Sequence, residues 1–145
     1  MTRVDFYVLS DMDHIARRRF ACRLAQRAAS AGQGVHLHVA SNDAMNELDE
    51  LLWSYPPERF VPHECLHDAG TTRPRAPISV GHQLPLDCDG VLINLTAAVP
   101  EFFARFDRVA EIIVDANKAD GRSHYKHYRD RGYPLHHHDI DDWEA

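Results

Sequence analysis

Lys118, Arg122, Lys126 and Arg129 recur at intervals of four, four and three, with Tyr125 and Tyr128 among them. An α-helix turns once in about 3.6 residues, so this spacing lines the cations along one face of any helix that covers the segment. Arginine offers a planar fork to a carboxylate, lysine adds a point charge, and tyrosine rings wall an apolar pocket. That chemistry suits an acidic peptide carboxylate, and a helix beginning near Gly121 would aim its N-terminal dipole at the same anion. An ordinary solvated helix face has the same signature, so periodicity leaves both readings open. Rings beside cations also suit direct binding of single-stranded DNA.

His136, His137 and His138 precede Asp139, Asp141 and Asp142, a set of imidazoles and carboxylates that raises a small metal-assisted hydrolase as a rival. Adjacent residues on an extended segment point to opposite sides, so the spacing favours a solvated polar tail over 137–145 and no metal. His36 and His38 alternate with apolar residues as on a solvent-facing strand edge. No cofactor and no catalytic residue is expected either. The loop after the first strand reads SDMDHIA, without the glycines and lysine that cradle phosphate, and no Gly-x-Ser-x-Gly elbow occurs. Cys22, Cys65 and Cys88 are widely spaced and form no Cys-x-x-Cys pair; they read as reduced thiols, with Cys22 in the core.

The string LLWSYPPERFVPH sets Trp53, Pro56, Phe60 and Val61 at and beyond a helix end, in a loop stiffened by proline. These side chains either tuck onto their own core or anchor a partner, since rigid aromatics lose little entropy on binding.

The elements that position these residues follow from the hydrophobic pattern. Val4–Leu9 reads as a buried strand, and 15–31 as an amphipathic helix with Ile15, Phe20, Leu24 and Ala28 inward. Val35–Ala40 reads as a second strand, and a helix capped by Ser41 runs to about Trp53. Ile78–Val80, Val91–Leu95 and Val109–Val114 are further strands, 100–106 a short helix, 120–131 a helix stopped by Gly132, and Tyr133–His136 a last short strand. Prolines between Tyr55 and Pro77 exclude a regular element there and predict a flexible loop around 64–76. Strand and helix alternate as in a single-domain α/β fold over 1–145, an open and largely parallel sheet flanked by helices, Rossmann-like without a nucleotide-binding loop.

Composition agrees with a compact domain: 44% hydrophobic and 26% charged residues in 145. A formal charge of −6 argues against DNA binding over the whole surface, so electrostatic recognition must be local. No apolar run approaches a membrane span, and Asp5, Asp11 and Asp13 interrupt any signal core, so a cytoplasmic protein is expected.

LDELLWSYPPERFVPH, VLINL, RVAEIIV and YKHYRDRGYPL together resemble the chi subunit family of the bacterial DNA polymerase III holoenzyme, across nearly the whole chain including MTRVDFYVL. The resemblance implies a non-enzymatic clamp-loader subunit for DNA replication that joins two partners: the psi subunit, and the acidic, phenylalanine-ended tail of single-stranded-DNA-binding protein. By the same resemblance Trp53, Pro56, Phe60 and Val61 face psi, a surface some family members also use for a helicase-like repair protein. Arg122, Tyr125 and Lys126, with Val114, Lys118, Tyr128 and Arg129, meet the tail. The chain's own DIDDWEA is acidic and aromatic, which raises self-docking on the basic stripe.

Overall fold

The computed structural model describes residues 1–11, 13–55, 62–66, 76–83, 89–141 and 143. β1 (Arg3–Leu9) is rich in β-branched and aromatic residues and enters α1 (His14–Ser30), whose cap Asp13 accepts from the Ala16 N–H at 3.0 Å. β2 (Val35–His38) leads through Ser41, bonded to the Ala44 N–H at 3.2 Å, into α2 (Asn42–Ser54). There follow β3 (His63–Leu66), β4 (Ile78–Gly81), β5 (Val91–Asn94), a 3-10 turn over Glu101–Arg105, β6 (Arg108–Ile113), α3 (Lys118–Asp130) and β7 (Leu135–Ile140).

The described strands form one sheet in the order β3-β4-β2-β5-β6-β1-β7, and every pairing is parallel. Gly90 admits the chain into β5 with φ +75°; a Cβ there would collide with the Gly34 carbonyl, so only glycine fits. Parallel strands need crossovers, and these cover both faces. α1 (Phe20, Ala21, Ala25) and α2 (Met45, Leu48, Leu52) pack with Leu37, Val80, Ile93 and Ile112 on one face. On the other, Tyr128 of α3 joins Phe103 and Phe106 against Val4, Phe6, Leu92, Val109 and Ile113. The neighbours β1 and β6 thus feed helices on opposite faces. Their C-terminal ends make a switch point, where the Asp115 N–H donates to the Asp11 carbonyl at 3.3 Å.

The single α/β sheet expected from the sequence is present, and several details differ. On α1, Arg17, Phe20, Ala21, Cys22, Ala25 and Gln26 are buried and Leu24 and Ala28 pack partly buried against the same core as expected, while Ile15, in the first turn, is 53% exposed. Proline spacing did not exclude an edge strand, since β3 fits its four residues between prolines and carries Cys65 against the core. Cys88 and residues 67–75 lie outside the described residues. His36 is not on a solvent edge: β2 is interior to the sheet, and both faces of that sheet are covered. The polar segment from His137 is not a free tail but part of β7, paired with β1 from Val4–Leu135 to Leu9–Ile140. His138 bonds Asp5 at 2.9 Å and stacks on Tyr7, which is what orders a sequence of such low apolar content.

Candidate functional site

α3 begins at Lys118, two residues before the expected start, because Asn117 ties it to the end of β6. Its Oδ1 accepts from the Val114 N–H at 2.7 Å, and its Nδ2 donates to the Ile112 carbonyl at 3.0 Å. Gly121 therefore lies inside the helix, where its bare Cα lets α3 approach Ile113; an added Cβ would stand 2.7 Å from Ile113 Cδ1. The dipole argument moves from Gly121 to Lys118.

The structure sorts the expected contact residues. Lys118, Arg122, Tyr125, Lys126 and Arg129 are exposed on α3. Lys118 is engaged by Asp115 at 3.2 Å and Arg129 by Asp130 at 3.5 Å, both on the surface. Among the described residues no carboxylate lies within ion-pair distance of Arg122 or Lys126, so these two cations are available to an external anion. Tyr125, 40% exposed, leans edge-on against Phe6 with ring centroids 5.3 Å apart, so one side of its ring is fixed and the other faces outward.

Val114 and Tyr128 are fully buried and present no surface to a partner. Val114 belongs to the core beneath α1, and Tyr128 is turned inward by a hydrogen bond it donates to Glu111 Oε2 at 2.7 Å. Burial and the adjacent carboxylate push the Tyr128 phenol far up, so it remains a donor.

Glu111 is the residue that the pattern did not reveal. Only 1% exposed, it accepts from Tyr128, from Asn94 Nδ2 at 2.9 Å and from His124 Nδ1 at 3.0 Å. The His124 Nε2 lies 2.8 Å from the Ala97 carbonyl. Burial alone opposes charge on His124, but the hydrogen bond and field of Glu111 outweigh it and raise its pKa. Arg17, also buried, donates from Nε to the Ile112 carbonyl at 3.1 Å. Burial lowers its pKa, while the charges of Glu111 and Asp120 oppose that. The available signal was a lone acid in the apolar string VAEIIV, with His124 and Tyr128 one helical turn apart opposite it.

Trp53 stands on the last turn of α2, 63% exposed, its ring 5.0 Å from that of His63, which in turn bonds Asp49 at 2.9 Å. Pro56, Phe60 and Val61 lie outside the described residues. Since α2 and α3 cover opposite faces, Trp53 and the Arg122–Lys126 surface lie on opposite faces of the sheet. His136 to His138 sit on β7: His137 pairs with Asp139 at 3.0 Å, and His138 is held by Asp5. Of the acidic, aromatic end beyond β7, Asp141 and Trp143 are described. Trp143 packs edge-on against Phe20 of α1, and its Nε1 donates to Asp11 at 2.7 Å.

Residues 1–136 match the family model described as DNA polymerase III chi subunit, HolC. A Pseudomonas aeruginosa protein named DNA polymerase III subunit chi is 41% identical over 143 residues, covering 97% of this chain and 98% of the relative. Proteins of the same name from Haemophilus influenzae and Escherichia coli are 31% and 27% identical, over 90% and 93% of this chain and 92% and 96% of theirs. With a family match over nearly its whole length and relatives aligned end to end, the chain belongs to the family of DNA polymerase III chi subunits.

Proposed function

We propose that the protein is a non-catalytic accessory subunit of DNA polymerase III in the cytoplasm, acting in replication without a cofactor. In this reading it bridges the psi subunit of the clamp loader and the acidic C-terminal tail of single-stranded-DNA-binding protein. The observation that carries the tail site is the pair Arg122 and Lys126, exposed one turn apart beside the fixed ring of Tyr125, in a chain of net charge −6. A tail carboxylate takes the arginine fork, Lys126 adds field, and an apolar terminal side chain packs on Tyr125. Lys118 and Arg129, held by Asp115 and Asp130, contribute long-range attraction.

Contacts of this exposed, charge-assisted kind are weak singly and screened by salt. Many tails on one strand raise the effective concentration, so the assembly stays near template while individual contacts turn over. Trp53, with Pro56, Phe60 and Val61, supplies the more apolar psi surface, which a helicase-like repair protein shares. Its place on the opposite face of the sheet from α3 supports simultaneous engagement of both partners.

Calorimetric titration with an acidic peptide ending in phenylalanine tests the reading. Arg122→Ala and Lys126→Ala weaken binding while Trp53→Ala spares it and impairs association with psi. Equal affinity of all three variants for the peptide would overturn the tail site.

A further inference from the structure

His124 lies between two hydrogen-bond acceptors. Its Nδ1 meets Glu111 Oε1 at 3.0 Å and its Nε2 meets the Ala97 carbonyl at 2.8 Å. A carbonyl only accepts, so Nε2 must carry hydrogen. The other carboxylate oxygen of Glu111 already takes two donors, Tyr128 Oη and Asn94 Nδ2, so Oε1 is left as the acceptor for His124 and hydrogen falls on Nδ1 as well. A neutral imidazole has one N–H and satisfies one of these acceptors; the imidazolium satisfies both.

We propose that His124, as a buried imidazolium bridging Glu111 of β6 and Ala97 beyond β5, is the positioning residue that holds the Arg122–Tyr125–Lys126 face of α3 in binding geometry. The inference rests on the tail site described above. His124 and Tyr128 are four residues apart on the inner side of α3 and both grip Glu111, so two rungs one turn apart fix the rotation of the helix about its axis. Arg122 and Lys126 project from the opposite side of the helix, and Tyr125 stands exposed at its flank between them. When His124 loses its proton, one rung fails and one buried acceptor is left facing a lone pair, which loosens the helix where the partner docks.

The charged and titratable groups around the ring are few. Glu111 faces it from β6, Asp120 and His127 lie near it on α3, and Arg17 of α1 lies near Glu111. The two carboxylates stabilise the cation, and burial opposes it.

The test uses the full chain. Nitrogen-15 NMR of the histidine rings reads the protonation of His124 with no ligand present, and a tail-type acidic peptide ending in phenylalanine is titrated in parallel from pH 6 to 9. Both His124 nitrogens should carry hydrogen at pH 7. Peptide affinity of the parent protein should fall about fivefold as His124 deprotonates. His124→Gln should bind with reduced affinity at pH 6 and show a flat profile, a readout that a merely structural histidine would not supply. A neutral His124 tautomer at pH 7, or a parent profile no steeper than that of His124→Gln, would overturn the proposal. If the parent binds no peptide at any pH while the ring is doubly protonated, the tail site fails and takes the positioning role with it; the NMR spectrum separates that outcome from failure of the bridge.

Discussion

Tyr125 and Tyr128, three residues apart on α3, both meet the ring of Phe6, with centroids 5.3 and 6.0 Å away, but Tyr128 is fully buried and gives its hydroxyl to Glu111 at 2.7 Å, while Tyr125 is 40% exposed. The two rings therefore separate stability from binding. Tyr128→Phe removes a donor from a buried carboxylate and should cost about 1.5–3 kcal/mol of stability. Tyr125→Ala should cost less stability and more peptide affinity. Thermal melts and titrations on both variants check this crossing pattern; a larger affinity loss for Tyr128→Phe would mean that α3 docks in another orientation.

The fold was legible because parallel strands buried on both faces are written as short runs of Val, Ile and Leu, as in VLINL and VAEIIV. β7 was not, since LHHHDI is held by pairing with β1 and by the bond from His138 to Asp5, neither of which leaves a local signal. The site was half legible for the same reason. Charge period placed Lys118, Arg122, Lys126 and Arg129 on one helix face, and all four are exposed on α3, but spacing alone cannot distinguish an exposed tyrosine from one buried against an acid on another strand. Val114, which the resemblance associates with the tail contact, is buried in the core, where alternation along β6 continues one residue past the strand.

Arg122 and Lys126 are exposed, so each should contribute modestly. Arg122→Ala and Lys126→Ala should each weaken the peptide by about fivefold, near 1 kcal/mol, the upper range for a surface pair. Because neither cation has an ion-pair partner among the described residues, neither change should lower the melting temperature. The affinity of the parent should fall with added sodium chloride, and the double variant should keep only the weaker salt dependence that Lys118 and Arg129 supply. Retention of the parent's salt dependence in the double variant would move the site off this turn.

His36 and His124 should set opposite limbs of the stability profile. Burial, with the neighbouring His38, pushes the His36 pKa down to about 3, so it stays neutral in the folded protein while the unfolded chain binds a proton below its ordinary 6.5. Stability is then lost as pH falls below 6.5, by about 1.4 kcal/mol per unit at most. Asp5 acts lower. Burial raises its pKa, but bonds from His138, Arg108 and Arg3 outweigh this and hold it beneath 3.8, so its contribution is lost only as pH falls below that value. His124, raised, contributes fully below 6.5 and loses its contribution as pH rises through its higher folded value. Denaturant unfolding between pH 4 and 9 should show His36→Gln flattening the acid limb and His124→Gln the alkaline one.

Gly121→Ala sets two magnitudes against each other. Alanine gains about 1 kcal/mol over glycine inside a helix. The new Cβ, however, stands 2.7 Å from Ile113 Cδ1 and 3.3 Å from two further atoms of the same side chain, and overpacking of this kind costs about 1–3 kcal/mol. The net should be a loss, and adding Ile113→Val, which removes Cδ1, should recover part of it. A Gly121→Ala protein more stable than its parent would show that Ile113 finds another rotamer and that the close approach of α3 to β6 is not fixed here.

Truncation after Ile140 distinguishes the observed place of Trp143 from docking of the acidic end on the stripe. Trp143 meets Phe20 edge-on at 5.4 Å, donates to Asp11, and receives Arg23 Nη1 on its carbonyl at 2.6 Å. It lines a cleft with Tyr7, Phe20 and Ile140 beneath α1, on the face of the sheet away from α3. Removing it should lower the melting temperature by exposing Phe20 and freeing the end of β7. The affinity for an acidic peptide should stay the same, because nothing that covered Arg122 or Lys126 has gone. Tighter binding by the truncated chain would instead require that the acidic end leaves α1 in solution and competes for α3.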